Sequence, residues 1–589
     1  MIIVWVAVAQ GSAAAGFGGS LSGPLGGPCT ITDMSSYYLT TPIYYVNDKP
    51  HIGHCYTTAL ADVMSRFQRL VRGELAPGGT PREVFFLTGT DEHADKVVTS
   101  AAAQGRTPQE WADENAEAFK RAFALMGIVS DDFIRTTQPR HKDRVPQYIA
   151  AMLKSGAIYR GEYTGWYDEG QEEYVPENAA REQDYKSAVS KKPLVKRTEP
   201  CYFFRLSGYQ KALEEHYAAH PEFVLPDARR QEVLGRLRLG LNDVPVSRPV
   251  TSDPATQWGI RIPGDEANRV YVWIDALFNY LTVVDTPERR RFWPASVHLI
   301  GKDILWFHAV IWPALLMALR ESDPEFGWVG LPGTVFGHGW WISNGEKMSK
   351  SLGNFIDIDT LAAYSNAFGV DSLRWFLATQ GPLSGTDADF SHAKFVESYN
   401  SDLANGIGNC ASRVGNMVDK YFGGVLPDHG GAFVREIVET DSVVRRFDWP
   451  TLTRESAAGV QASLATFDLA GALGQATNLI RQVDIFINLT RPFTIAKQVE
   501  KGEASKEGLG HILYQCAESL RVASVLMSAA MPTKMGQLWA AWNCVPREGL
   551  TLEQICQFGD GPASLKPGQN LGKGEILFMR ADPKAPAPQ

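Results

Sequence analysis

At 589 residues the chain is long enough for two to four domains, each with its own core. With 44% hydrophobic and 21% charged residues it has the composition of a soluble globular protein. Its net charge of −9 argues against a chain that coats nucleic acid generally, although a local basic stripe is enough for phosphate contact.

The 7 cysteines are scattered with no CxxC pair, which argues against a disulfide framework or a zinc knuckle and points to a reducing compartment. Residues 1–33 are Gly/Ala/Ser-rich and contain no Lys or Arg. The run IIVWVAVA is short for a membrane span and lacks the basic flank of a secretory signal. The missing arginines weaken a mitochondrial transit reading. They leave a plastid-type or dual-organelle leader, or an over-long start, since Met34 immediately precedes the first core-like strand. The expected location is the mitochondrion and/or chloroplast, with the cytoplasm as the alternative. No other stretch is apolar enough to span a bilayer.

Over 34–150, SYYLTT (36–41) alternates β-formers and then meets PIYY and the polar turn NDKP (47–50). His51 to about Arg72 has helical spacing, with no Gly or Pro after Gly53. EVFFLTG (83–89) reads as a buried strand, and residues 94–96 lie early in another helix. The alternation predicts a parallel α/β sheet, whose ligands collect at the carboxyl ends of strands beside helix N-termini.

Over 151–248 short aromatic strands (YRGEYTGWYDE, CYFFRL) mix with charged loops, as in an insert. The α/β pattern resumes over 249–390 with YVWIDAL (271–277), SVHLIG (296–301), an apolar helix from Asp303 to about Leu319, and TVFGHGWWI (334–342). Beyond 390 strand signals fade. Helical patterns at 391–422, 433–447, 452–487 and 507–530 predict a bundle over 391–559. The Pro/Gly/Lys-rich residues 560–589 are expected to wrap the surface or fray.

Two short motifs carry chemistry. His51 and His54 in HIGH (51–54) stand i, i+3 at a predicted helix start and share one face. The unpaired N–H groups of a helix start favour phosphate. Imidazole N–H groups aimed at a polyphosphate would stabilise charge on the α-phosphate during in-line attack. The alternative is two ordinary histidines. In KMSKS (347–351), Lys347 and Lys350 flank Met348 and Ser349, and Ser351 precedes Gly353 and Asn354. Such a loop can close over a triphosphate and bring ammonium groups to its β- and γ-phosphates. A solvated lysine loop is the bland reading. Together, in this order, the motifs are suited to activating a carboxylate as an adenylate.

Further runs share order and spacing with one family over about 36–500: LTTPIYYVNDKPHIGH, FFLTGTDEH, CYFFRL, YVWIDALFNYLT, GKDILWFH and NGEKMSKSLGN. On these the chain resembles the methionyl-tRNA synthetases of bacterial and organellar type, which are class I aminoacyl-tRNA synthetases. The resemblance implies a Rossmann-like catalytic domain with an inserted connective domain, followed by an all-α anticodon-binding bundle. It implies that ATP, carried with Mg2+, meets His51, Gly53, His54, Gly301, Asp303 and the KMSKS residues Lys347, Met348, Ser349, Lys350 and Ser351. The catalytic charges would be His51, His54, Lys347 and Lys350.

Methionine would lie among Ile43, Tyr45, Asp91, Trp273, Ala276, Leu277, Tyr280, Ile304, His308 and Trp312. Asp91 would take the α-ammonium group, and aromatics would wall a polarizable thioether. His308 and Trp312, at i, i+4, would face one cavity; without the family, an aromatic stripe at this spacing reads as plain core. Asp303 would accept from ribose hydroxyls, cap a helix, or do both.

By the same resemblance Asn409, Arg413 and Phe493 match anticodon-reading positions. Phe493 stands where the family usually carries Trp, so a stacking plane remains but area and an indole donor are lost. Its alternative is a core residue at a helix start. Many relatives hold zinc with cysteines of the insert. Here that stretch reads GWYDEGQEEYVPE, and Cys201 is the one cysteine within 151–250, so no zinc is expected. The stretch between His54 and Lys347 already holds half the sheet and the insert. That leaves too little room for the editing domain of the leucine, isoleucine and valine enzymes. The expected partners are methionine, ATP and tRNA(Met), with no membrane and a monomer as the default. A tRNA-binding homologue without catalysis is the rival from another class; the presence of all four motif histidines and lysines weighs against it.

Overall fold

A computed structural model of the chain describes residues 36–588 apart from 75–82, 169–172, 176–179, 182, 188–190, 344, 349–353, 432 and 441–442. The expected leader lies outside the described residues. In chain order, β1 (Tyr37–Tyr45), β2 (Val84–Asp91), β3 (Asp132–Arg135), β4 (Val224–Leu225), β5 (Val297–Gly301) and β6 (Thr334–His338) build one sheet. Their order is β3-β2-β1-β5-β6-β4 and every pairing is parallel. This is the expected α/β sheet. Strand β2, VFFLTGTD, is buried along its whole length, as a sheet covered on both faces requires. The strand order reverses direction between β1 and β5. Sheets of this kind bind ligands at the carboxyl end of such a switch point.

Strand β1 carries Pro42 in mid-strand, where the missing N–H would break a ladder. Its register against β2 shifts between Thr40 and Ile43, and this irregularity accommodates the proline. Beyond it Ile43 and Tyr45 share one face and stand opposite Gly89 and Asp91. Gly89 is demanded by close approach: a Cβ there would lie 2.0 Å from the Ile134 carbonyl oxygen of β3.

Helix α1 (Ile52–Arg72) follows β1 and ends at Gly73, which takes φ +79°. Its Asp62 carboxylate is buried between Arg66 at 2.7 Å and Arg374 at 2.6 Å. Arg374 also donates to the carbonyls of Met126, Ala529 and Ala530. One guanidinium therefore joins α1 to the far end of the chain.

In the stretch 151–248, Ile158–Asp168 and Val195–Phe204 pair antiparallel within a four-stranded sheet. The same stretch supplies the edge strand β4. The YVWIDAL run forms the short helix Val272–Leu277, continued by Asn279–Thr282. After β5 the chain makes a 3-10 turn at Lys302–Ile304, widens into a π turn at Phe307–Ile311 and continues as an α-helix over Trp312–Ser322. TVFGHGWWI divides: β6 ends at His338, and Trp341–Ser343 belongs to a small sheet with Glu346–Lys347 and Ala388–Asp389.

The C-terminal half is a helical bundle, including Asn409–Phe422, Trp449–Ala465, Leu469–Thr490, Pro492–Glu500 and Lys506–Met527. Two expectations fail there. Residues 433–447 form no helix: Val434–Thr440 and Val443–Asp448 pair as an antiparallel hairpin. Val434, Ile437 and Val438 sit at helix-like spacing, yet the β-branched residues adopt strands, with Phe447 inward and Val438 70% exposed. The pattern over 452–487 is also broken. Phe467 takes φ +59°, and Asp468 caps a new helix by accepting the Gly471 N–H. The tail wraps the surface rather than fraying. Leu565, Leu571, Leu577 and Phe578 are buried, and Asn400 exchanges two hydrogen bonds with Ala581. Among the described residues no helix is long and apolar enough to cross a membrane.

Candidate active site

The turn after β1 places His51 at the N-cap of α1. Its Nδ1 accepts the Gly53 N–H at 3.1 Å, and His54 Nδ1 accepts the His51 N–H at 3.3 Å. The pair is a capping box built from imidazoles instead of a hydroxyl and a carboxylate. The rings lie 3.9 Å apart. With Nδ1 accepting, the proton of a neutral ring sits on Nε2, on its far side. Burial and the neighbouring His51 hold the His54 pKa well below its ordinary value, so His54 is an uncharged N–H donor. The i, i+3 spacing thus has two reasons, the cap and the shared face.

Lys347 pairs with Ile342 through the backbone, and Met348 packs half-buried against the core. Ser349, Lys350, Ser351 and the Lys347 side chain lie outside what is described. The chain just beyond them returns to the histidine turn. The Ile52 N–H donates to the Ile356 carbonyl at 3.1 Å, His51 bridges Asp357, and the Phe355 ring meets the His51 ring edge-on at 5.1 Å. HIGH and the segment following KMSKS are therefore adjacent. Gly301 closes β5 at its carboxyl end. Asp303 is exposed and accepts the Trp340 indole N–H at 3.2 Å. It is not a helix N-cap, because Gly301 holds that position.

Ile43 and Tyr45 from β1, Asp91 from β2, Trp273, Ala276, Leu277 and Tyr280 from the short helices, and Ile304 and His308 from the 3-10 and π turns all line one cavity, together with Pro42. Trp312 does not. It is fully buried, and its indole N–H donates to His298 Nε2 at 3.2 Å, one layer behind the wall. The π turn between His308 and Trp312 changes the bearing of later residues, so the α-helical i, i+4 argument fails there.

The cavity wall is largely uncharged. His308 Nδ1 lies 3.1 Å from the Ile304 carbonyl, which can only accept, so Nε2 accepts the Tyr280 hydroxyl at 2.8 Å. Burial pulls the His308 pKa down to about 4. Phe307 stacks on Trp273 at 4.2 Å. Asp91 is the exception. It is buried, its Oδ1 has no hydrogen-bond partner, and burial followed by the Asp275 charge raises its pKa well above the carboxylate range.

Sequence reading missed the residues behind Asp91. Asp275 Oδ2 lies 2.6 Å from His93 Nδ1, and Oδ1 lies 2.7 Å from His141 Nε2, all three side chains being buried. The available signal was His93, two residues beyond Asp91 in TDEH.

In the bundle, Asn409 is exposed and Arg413 pairs with Asp484 at 2.7 Å. Phe493 is 44% exposed in the first turn of its helix, so it is not a core residue.

A parallel sheet with a histidine pair at its first strand–helix turn, adjoined by the segment that follows KMSKS, has the features of a class I tRNA synthetase. The family model described as "tRNA synthetases class I (M)" matches residues 37–183 and 181–415. The chain is 40% identical over 563 residues to a methionine–tRNA ligase of Streptomyces coelicolor, covering 94% of this chain and 98% of the relative. A methionine–tRNA ligase of Rickettsia bellii is 37% identical over 86% of this chain and 92% of its own length. Among solved structures, Mycobacterium tuberculosis methionyl-tRNA synthetase bound by methionyl-adenylate matches with a TM-score of 0.77 and 32% identity, over 92% of this chain and all of that one. The chain belongs to the methionine–tRNA ligase family of class I tRNA synthetases.

Proposed function

We propose that the chain activates methionine with ATP and transfers it to tRNA(Met), using the residues described above. The methionine carboxylate attacks the α-phosphate of ATP and pyrophosphate leaves. A ribose hydroxyl of the tRNA's terminal adenosine then attacks the adenylate carbonyl and releases AMP. The Nε2–H groups of His51 and His54 and the ammonium groups of Lys347 and Lys350 stabilise phosphate charge. Mg2+ arrives with the ATP as part of the substrate. Asp91 takes the methionine ammonium, and Trp273, Tyr280 and His308 surround the thioether. The observation that carries this reading is the cavity at the carboxyl end of β2 and of β1, the strand that leads into the histidine turn, where Asp91 Oδ1 has no hydrogen-bond partner.

The insert works without zinc in this reading, since its one cysteine, Cys201, is buried and a lone thiolate builds no zinc site. The chain acts as a monomer. Amino-acid-dependent ATP–pyrophosphate exchange without tRNA tests the whole. Methionine alone among the twenty should drive it strongly; exchange driven by another amino acid would overturn the pocket assignment.

Phe493, exposed beside a bundle helix start, stacks on an unpaired anticodon base. Phe493→Ala is expected to weaken tRNA charging by about 1–3 kcal/mol, the worth of one base–aromatic stack. Pyrophosphate exchange should stay unchanged. Loss of both activities together would assign Phe493 to folding.

A further inference from the structure

The cavity holds two recognition elements on different parts of the chain. Asp91 ends β2, while Trp273, Ala276 and Leu277 belong to the helix Val272–Leu277. Their separation determines what length of amino acid fits between an ammonium partner and a side-chain wall. Asp275 sits on that same helix, 1% exposed, and is not among the residues that line the cavity. Its Oδ2 accepts from His93 Nδ1 at 2.6 Å, and His93 stands two residues beyond Asp91 on the loop that leaves β2. Its Oδ1 accepts from His141 Nε2 at 2.7 Å, on the short helix Pro139–Lys142 that follows β3. The loop is held from outside as well, because the Trp258 indole N–H donates to the Glu92 carbonyl at 2.6 Å.

We propose that Asp275 is a specificity-determining positioning residue, which pins the ammonium-binding carboxylate at a fixed distance from the side-chain wall. This rests on the reading of the cavity as an amino-acid site. Three segments converge on one carboxylate, and the carboxylate suits the task chemically. Ionised, it accepts from both imidazoles at once. An asparagine of the same shape offers one acceptor and turns an NH2 group against the other imidazole N–H. The clamp then opens on one side without a cavity being created.

The test is pyrophosphate exchange by the full chain with methionine and with ethionine, which is one methylene longer. In Asp275→Asn the methionine KM should rise about tenfold, since small misplacements of a binding group carry large penalties, while kcat stays within about threefold. The ethionine-to-methionine ratio of kcat/KM should rise, because the spacing is no longer enforced. The acid limb of methionine kcat/KM should also move to lower pH. Asp91 is faced by Asp275, by Glu92 (itself paired with Arg135), and by the hydroxyls of Tyr45 and Tyr280; the substitution removes one of the two negative neighbours.

His141→Gln places an amide nitrogen near the Nε2 position and should keep the wild-type methionine KM, whereas His141→Leu should reproduce Asp275→Asn. This pair decides the matter if Asp275→Asn does not fold. Unchanged KM and unchanged ethionine ratio in folded Asp275→Asn would overturn the proposal, as would loss of kcat at constant KM. If the wild-type chain showed no methionine-driven exchange at all, the amino-acid reading itself would fall.

Discussion

Replacing Asp91 by asparagine is expected to weaken methionine binding by about 3–5 kcal/mol, a rise in KM of ~100-fold or more. The carboxyl is buried, and Oδ1 has no partner. A methionine ammonium group would supply that partner, and asparagine would leave the cation buried and uncompensated. Steady-state exchange kinetics at varied methionine check the size, and a KM within threefold of wild type would remove Asp91 from the site.

The same carboxyl sets a pH dependence with a definite sign. Burial first, and then the Asp275 charge, raise its pKa in the empty pocket. Only the ionised form attracts the ammonium group. Methionine kcat/KM should therefore rise as pH rises through the free-enzyme pKa of Asp91, then level off. Binding on the acid side should release a proton. In Asp91→Asn the acid limb should disappear.

His54→Ala is expected to slow adenylate formation by about 2–4 kcal/mol of transition-state stabilisation, with little change in methionine KM. Because His54 also accepts the His51 N–H, alanine removes two functions together. Asparagine and glutamine separate them. Asparagine places its oxygen near the Nδ1 position and keeps the cap, but it has no donor at Nε2. Glutamine reaches the Nε2 position with an amide N–H. If the Nε2–H stabilises phosphate charge, His54→Asn should be as slow as His54→Ala, and His54→Gln should recover part of the rate. Full activity in His54→Asn would show that the cap alone mattered. Lys350→Ala should fall in the same range as His54→Ala, again with methionine KM held.

The sheet was legible because it rests on local rules. The run EVFFLTG announced β2 by composition, and the break-free stretch after Gly53 announced α1. Ile43, Tyr45 and Asp91 were implied by the family resemblance alone, and strand alternation with the β1–β2 register shows how the fold brings them to one cavity. The errors came where context overrides periodicity. Val434, Ile437 and Val438 fit helical spacing and a hairpin equally, and pairing with 443–448 decides between them. Asp468 resembles any polar residue in a helix until Phe467 takes a left-handed conformation beside it. Trp312 was misplaced by a π turn that no residue type announces. Asp275 and His141 were invisible for a different reason. Each looks ordinary alone, and only the tertiary fold brings them within 2.7 Å of one another.

The guanidinium of Arg374 decides how this chain can be cut. It reaches Asp62 on the helix that begins with the histidine pair, the carbonyl of Met126, and the carbonyls of Ala529 and Ala530. One apolar cluster joins Tyr37 of β1 and Leu60 of α1 to Leu520 of the bundle and Phe578 of the tail. A fragment ending before the bundle would lose two of those carbonyls as acceptors for Arg374. It would also bare the apolar flank of α1. The parallel sheet and the helical bundle therefore share buried contacts, and a fragment ending before the bundle is expected to melt at a lower temperature than the full chain.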